Sequence, residues 1–154
     1  MMIAIATPAD IPALCGLLSD LFAQESEFQP DPEAQQMGLS AILHDAAVGH
    51  VIVARNPAGE VIGMLSLLYT MSTALGGRVA LLEDMVIQAA HRNQGVGSAL
   101  LHYAIAMAQE QQIRRITLLT DADNSAAQRF YRRQGFQPSP MHPWRLLLTT
   151  APAA

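Results

Sequence analysis

Three apolar runs follow one another between His50 and Ile87: HVIVAR (50–55), VIGMLSLLYTM (61–71) and RVALLEDMVI (78–87). Only NPAGE and a stretch containing LGG separate them. Short runs rich in β-branched and aliphatic residues, joined by Asn-, Pro- and Gly-bearing turns, fold as adjacent antiparallel strands. The connections are too short for the crossover that a parallel pair requires. A three-stranded meander is therefore the centre of the expected fold.

The period then changes. NQGVGSALLHYAIAMAQEQ puts Val96, Leu100, Leu101, Ala104 and Met107 on one stripe, the spacing of an amphipathic helix. RRITLLT (114–120) returns to strand character, so the helix is a crossover to a parallel neighbour. Upstream, MIAIAT (2–7) reads as a first strand. Thr7-Pro8 starts a helix carrying Ile11, Leu14, Leu17, Leu18, Leu21 and Phe22. A second helix opens at Asp31-Pro32. Downstream, DNSAAQRFYRRQG is a helix closed by Gly135, and WRLLLTT (144–150) is a last strand.

The expected class is α/β (α+β), with a mixed, mostly antiparallel central sheet of six to seven strands and helices on both faces. The order is βααβββαβαββ. One domain over residues 1–150 is expected, with 151–154 as a frayed tail.

Composition narrows the function. Residues 1–90 hold ten acids and two bases, whereas 91–154 hold three acids and seven arginines. The chain has no Lys, so no dense basic face exists for nucleic acid; the positive second half suits a small anionic ligand. The single Cys15 excludes a disulfide framework, and no His pair has metal-ligand spacing. The longest nearly apolar run, 61–71, is too short to span a bilayer, and the N-terminus carries no basic stretch of a signal peptide. A reducing cytoplasm is the expected compartment.

Arg92-Asn93-Gln94-Gly95-Val96-Gly97-Ser98 lies between a strand and a helix. A helix start offers unpaired N–H groups and the positive end of the dipole, and glycines let backbone approach phosphate oxygens. A Walker loop is excluded for want of Lys, and a dinucleotide fingerprint because Leu100 stands at the third glycine. On these residues alone, a plain turn and a phosphate cradle both remain open. Further on, Asn124, Ala127 and Tyr131 are spaced to share one helix face.

Together these motifs resemble the GNAT superfamily of N-acetyltransferases. The family's acetyl-CoA loop, [QR]-x-x-G-x-[GA], is similar to Arg92, Gly95 and Gly97. Its later signature is similar to Asn124, Ala127, Phe130, Tyr131, Gly135 and Phe136, and the element order also resembles the family's. The resemblance implies acetyl-CoA as co-substrate, with backbone N–H groups of Gln94 to Ser98 on its pyrophosphate and Arg92 and Asn93 on the approach. It implies that the strand edge at Met85, Val86 and Ile87 and the side chain of Asn124 meet the pantetheine arm, with Ala127 and Phe130 completing the motif. Tyr131 would face the thioester sulfur, and an N–H at Met85 or Val86 the developing oxyanion.

The implied reaction is direct transfer of acetyl to an amine, which needs a base. LEDMV resembles the Glu-Asp pair of polyamine and amino-sugar acetyltransferases of this family. Strand alternation puts Glu83 with Leu81 and Met85, and Asp84 with Leu82 and Val86 on the other face. Glu83 is the favoured base, with Asp84 or a water route as alternatives and a salt bridge to Arg78 as the purely structural role. Glu25, Phe28, Tyr69 and Asp84 are the expected acceptor-binding residues, joined by Glu27, Asp31, His142 and Trp144 in the same regions. The expected acceptor is a small-molecule primary amine. A protein or peptide acceptor, or a non-catalytic acyl-CoA-binding module, is the alternative. Family members often dimerise, so a homodimer is also implied.

Overall fold

The computed structural model describes residues 1–148. Contacts divide the chain into one unit over residues 1–119 and a second from Thr120 onward.

The first unit is built on a five-stranded sheet in the order β1-β2-β3-β4-β5: Met2–Ile5, Gly49–Arg55, Val61–Ser72, Gly77–Ile87 and Ile116–Leu118. β1 to β4 run antiparallel in sequence, and β5 lies parallel to β4. The 15-residue helix α3 (Val96–Glu110) makes the crossover between them. The meander and the parallel pair are as expected.

Helices cover both faces. On one side, α1 (Ile11–Phe22) and α2 (Pro32–Leu43) pack Leu14, Leu17, Leu18 and Leu39 against Val51, Val53, Met64 and Val86. On the other, Leu100 of α3 comes so close to Gly63 that a Cβ there would sit 3.3 Å from it. Leu100, Leu101 and Ala104 are fully buried, as the stripe in the sequence requires.

The chain enters α1 through a 3₁₀ turn, Pro8–Asp10, rather than directly at Pro8. The Thr7 N–H donates to Asp10 Oδ2 at 2.9 Å, and Arg55 Nη2 donates to both Asp10 oxygens at 2.8 Å. α2 is capped as expected: Asp31 Oδ1 accepts from the Ala34 N–H.

In the second unit, α4 (Ser125–Arg133) starts at Asn124, whose Oδ1 accepts from the Ala127 N–H. It ends at Gly135 with φ +96°, where the Phe136 N–H returns to the Tyr131 carbonyl.

The expected sixth and seventh strands are a correction. Among the described residues the sheet has five strands, and 141–148 has no regular structure. The remainder of the run read as a last strand, 149–150, lies outside the described residues. Trp144, Leu146, Leu147 and Leu148 have strand-forming character, but strand formation needs a hydrogen-bonded neighbour, which local propensity does not supply. β5 is likewise shorter than the run 114–120, at three residues.

Candidate active site

β4 is interrupted where the sequence carries its two carboxylates. Ser66 of β3 pairs with Glu83, but Met64 pairs with Val86, so Leu65 alone faces both Asp84 and Met85. This is a β-bulge. Asp84 adopts φ +55°, a left-handed conformation that Asp tolerates better than most side chains.

The bulge overturns the simple alternation along LEDMV. Ser66 and Met64 share a face, so their partners Glu83 and Val86 do too. Asp84 is not turned away from that side. Both Glu83 and Asp84 line one cavity of about 370 Å³. Leu18 and Phe22 of α1, Leu39 and Ile42 of α2, and Leu68 of β3 supply its apolar wall. Phe28 and Asp31, from the connection between the helices, also line it, and the Phe22 and Phe28 rings lie 5.9 Å apart.

The two carboxylates differ in environment. Glu83 is exposed, whereas Asp84 is only partly so. Burial pushes the Asp84 carboxyl up to about 6, with the charges of Glu83 and then Glu25 adding to the rise. Glu25 is thus electrostatically coupled to the site without lining the cavity.

Tyr69 lies elsewhere. Leu68 faces the cavity, so its neighbour Tyr69 projects from the opposite face of the sheet. There its hydroxyl is 2.7 Å from His50 Nδ1, and the Arg78 guanidinium stands 5.1 Å from its ring centre. Arg78 therefore stacks on Tyr69, and among the described residues it forms no salt bridge to Glu83.

The loop after β4 is shaped by two left-handed residues, Asn93 at φ +58° and Gly95 at φ +82°. Gly95 is the N-cap of α3, and its carbonyl accepts the first helical bond from the Ala99 N–H at 3.0 Å. Arg92 Nε donates to the Ile87 carbonyl at 3.0 Å and Gln94 Nε2 to the Ala90 carbonyl at 2.9 Å, which ties the loop to the strand end. Val96 turns its side chain into the core, leaving only backbone at the helix start. A Cβ built at Gly95 meets no heavy atom within 4 Å, so the approach to this backbone is open. The first-turn N–H groups of Val96 and Gly97 have no acceptor within the helix. The loop thus has the form needed to hold phosphate oxygens, beside Ser98 in the same first turn.

In the second unit, Tyr131 packs edge-to-face on Phe130 and Phe136, with centroids 5.2 and 5.8 Å away. Burial pushes its phenol above the ordinary value. The Asn124 oxygen is engaged as the cap of α4. Met141 and Trp144 are exposed, as is the rest of 139–148.

Sequence reasoning missed Gln35 and Ser66. Gln35 is buried; its Nε2 donates to the Cys15 carbonyl and Ser19 Oγ, both at 3.1 Å, and its Oε1 accepts from the Asp31 N–H at 2.8 Å. It fixes α1 against α2 at the cavity wall. Ser66 is 1% exposed, and its hydroxyl has no hydrogen-bond partner among the described residues. A polar residue inside VIGMLSLLYTM was the available signal.

The family model described as "Acetyltransferase (GNAT) family" matches residues 12–136. Aminoalkylphosphonate N-acetyltransferase of Salmonella typhimurium is 30% identical over 134 residues, 87% of this chain and 83% of that protein. The crystal structure of a probable acetyltransferase superposes with a TM-score of 0.84 at 24% identity, covering 98% of this chain and all of the other. Glucosamine-6-phosphate N-acetyltransferase from Arabidopsis thaliana gives a TM-score of 0.75 at 15% identity, with 94% and 97% covered. These last two establish the shared fold.

Proposed function

The chain is an N-acetyltransferase of the GNAT family, and from that premise we propose that it moves acetyl from acetyl-CoA directly to the primary amine of a small molecule. The observation that carries this reading is the carboxylate of Asp84 on a bulged strand, raised to about 6 at the wall of a cavity of about 370 Å³. That volume suits a small molecule.

Acetyl-CoA is the co-substrate in this reading and supplies the thioester carbonyl. Backbone at Gln94 to Ser98 holds its pyrophosphate, with Arg92 and Asn93 on the approach and Met85 to Ile87 and Asn124 along its pantetheine arm. The amine nitrogen attacks the carbonyl carbon, the carbon–sulfur bond breaks, and the proton leaves the nitrogen. Asp84 receives that proton in this reading. An ordinary Asp near 3.9 faces an ammonium near 10.4, a gap of roughly six units. Raising Asp84 to about 6 removes about two of them. Glu83, the base favoured on sequence, is more exposed and acts here as the charge that helps raise Asp84.

Tyr131 serves as a hydrogen-bond donor to the departing sulfur. Its phenol, raised by burial, is a weaker acid than a thiol near 8.5, so it stabilises the thiolate without transferring a full proton.

The Salmonella relative is named for aminoalkylphosphonates. In this chain, none of the side chains lining the cavity is Arg or His, and Lys is absent. A phosphonate would meet Asp31, Glu83 and Asp84 with no cation to offset them. The acceptor is therefore placed in this reading among amines without an acidic group.

A homodimer is part of this reading: exposed Met141, Trp144 and Leu146 to Leu148 are apolar surface of the kind that marks interaction sites, and a second copy of the chain is the partner proposed for it. The deciding experiment for the activity is thiol release from acetyl-CoA across a panel of amines, with peptides included. Acetylation of peptides only would replace the small-molecule reading. Acetyl-CoA binding without any product would leave a non-catalytic binding module.

A further inference from the structure

Gln35 sits where the fold would ordinarily place an aliphatic side chain. It lies one and two turns before Leu39 and Ile42 on the core-facing side of α2, and it is only 6% exposed. An amide buried there is costly unless its hydrogen bonds are met. They are met by two separate parts of the chain. Nε2 donates to the Cys15 carbonyl and to Ser19 Oγ, both of α1 and both at 3.1 Å. Oε1 accepts the Asp31 N–H at 2.8 Å, and the Gln35 N–H returns to the Asp31 carbonyl at 2.9 Å. An apolar residue would fill the space and make none of the side-chain bonds.

What these bonds hold is the connection between α1 and α2. At its start, the N–H groups of Ala23, Gln24 and Glu25 still donate to the carbonyls of Ser19, Leu21 and Phe22 in the last turns of α1. Residues 26–30 form neither helix nor strand. At Asp31 the chain is caught again, through both its N–H and its carbonyl, by Gln35. Phe28 and Asp31 of this connection line the cavity, as Gln35 does. The place of that wall is therefore set by one amide bonded to α1 and to the connection at once. A buried polar network that is satisfied in this way fixes a single arrangement.

We propose that Gln35 is a positioning residue for acetyl transfer: its amide latches the α1–α2 connection to α1, and so sets the wall against which the acceptor amine binds. This rests on the reading of the cavity as the amine site.

The test uses Gln35→Met, which keeps side-chain length and helix propensity but makes none of the amide's bonds. Ser19→Ala removes one partner of the amide at a residue that does not line the cavity. Phe28→Ala probes the wall directly. Cleavage by a glutamate-specific protease after Glu25 and Glu27 reports on the connection, and thiol release with n-hexylamine as acceptor reports on the site. Gln35→Met is expected to be cut about tenfold faster at those two bonds relative to the other glutamates. Its KM for n-hexylamine is expected to rise about fivefold or more, with the KM for acetyl-CoA at the parent value and kcat changed less than KM. Ser19→Ala is expected to raise the same KM about twofold and to add nothing to Gln35→Met, because both act through one amide. Should Gln35→Met fail to fold, Ser19→Ala decides alone. A lower melting temperature with unmoved cleavage and unmoved KM would make the amide a packing element and overturn the proposal. A raised KM in Phe28→Ala, but not in Gln35→Met or Ser19→Ala, also overturns it and leaves the cavity as the amine site. An unmoved KM in all three variants, or no turnover of n-hexylamine by the parent, removes both.

Discussion

Glu83 and Asp84 are adjacent on one strand, yet both line the same cavity, because Asp84 sits in a bulge at φ +55° opposite Leu65. A regular strand would send one of them to the α3 side. The bulge instead gathers two like charges at one wall, and their repulsion adds to burial in raising Asp84 to about 6. If Asp84 is the base, turnover at saturating acetyl-CoA falls as pH drops through about 6. Asp84→Asn lowers kcat by about 10²–10⁴ and removes that limb. Glu83→Gln keeps the limb but shifts it to lower pH, since a charge that raises Asp84 is gone. A kcat–pH profile of the three proteins checks this; an unmoved limb in Asp84→Asn would assign the base elsewhere.

The same substitution has the opposite sign for stability. Asp84 has a folded pKa above its unfolded value, so the folded state binds the proton more tightly. The stability this contributes is full below about 3.8 and is lost as pH rises through about 6. Asp84→Asn cannot become charged, and Asn tolerates the left-handed backbone. It is therefore expected to be more stable than the parent by about 1–2 kcal/mol at pH 7.5, a figure reduced for partial exposure, and no more stable at pH 3. Urea unfolding at the two pH values measures it. A destabilised variant at pH 7.5 would show that the charge is compensated in place.

Much of this architecture was legible in the residues. The turns NPAGE and LGG dictated the meander, and the stripe from Val96 to Met107 dictated the crossover. The place of Tyr69 was misread as part of the acceptor site, because alternation sets it opposite Leu68 but does not say which face of the strand bears the cavity. The bulge was not legible, because LEDMV contains no Gly and reads as regular alternation. Only the tolerance of Asp for positive φ hinted at it. The run WRLLLTT misled for the converse reason. Its propensity is local, while pairing depends on a neighbouring edge that no local pattern encodes.

Gly95 at φ +82° offers a separable test of the phosphate cradle. Since a Cβ there meets no heavy atom within 4 Å, Gly95→Ala costs only the left-handed backbone strain, about 1–2 kcal/mol. If phosphate oxygens approach that backbone, the added methyl also obstructs them. The KM for acetyl-CoA is then expected to rise about tenfold or more, with the KM for amine little changed. Equal acetyl-CoA affinity in parent and variant, by calorimetry, would move the pyrophosphate away from Gly95.

Asp10 and Arg55 tie the 3₁₀ turn before α1 to the end of β2 at 2.8 Å. Burial alone would raise the Asp10 carboxyl, but the Thr7 N–H and the Arg55 guanidinium outweigh it and hold the group below its ordinary value. A depressed folded pKa contributes stability above the unfolded value of 3.8, and that stability is lost as pH falls through the lower folded value. Asp10→Asn is expected to cost about 1 kcal/mol at pH 7 and nearly nothing below about pH 3. A loss that persists undiminished in acid would mean the pair acts through packing rather than charge.

Trp144 is the one tryptophan of the chain, and it is 94% exposed, in a stretch where Leu147 is 92% exposed. In the first unit, the edge strand β5 has β4 on one side and no strand on the other among the described residues. An apolar segment and an open sheet edge are complementary features, and each copy of the chain carries both. In the proposed homodimer, exchange between two copies would close the pairing with two-fold symmetry. Trp144 fluorescence is therefore expected to shift to the blue, and to become harder to quench with acrylamide, as concentration rises over the range in which sedimentation shows monomer becoming dimer. Leu147→Asp places a charge in that contact and is expected to hold the chain as a monomer with a quenchable, red-shifted Trp144 at all concentrations. A dimer that forms equally well in Leu147→Asp, with Trp144 still quenchable, would locate the contact on another surface.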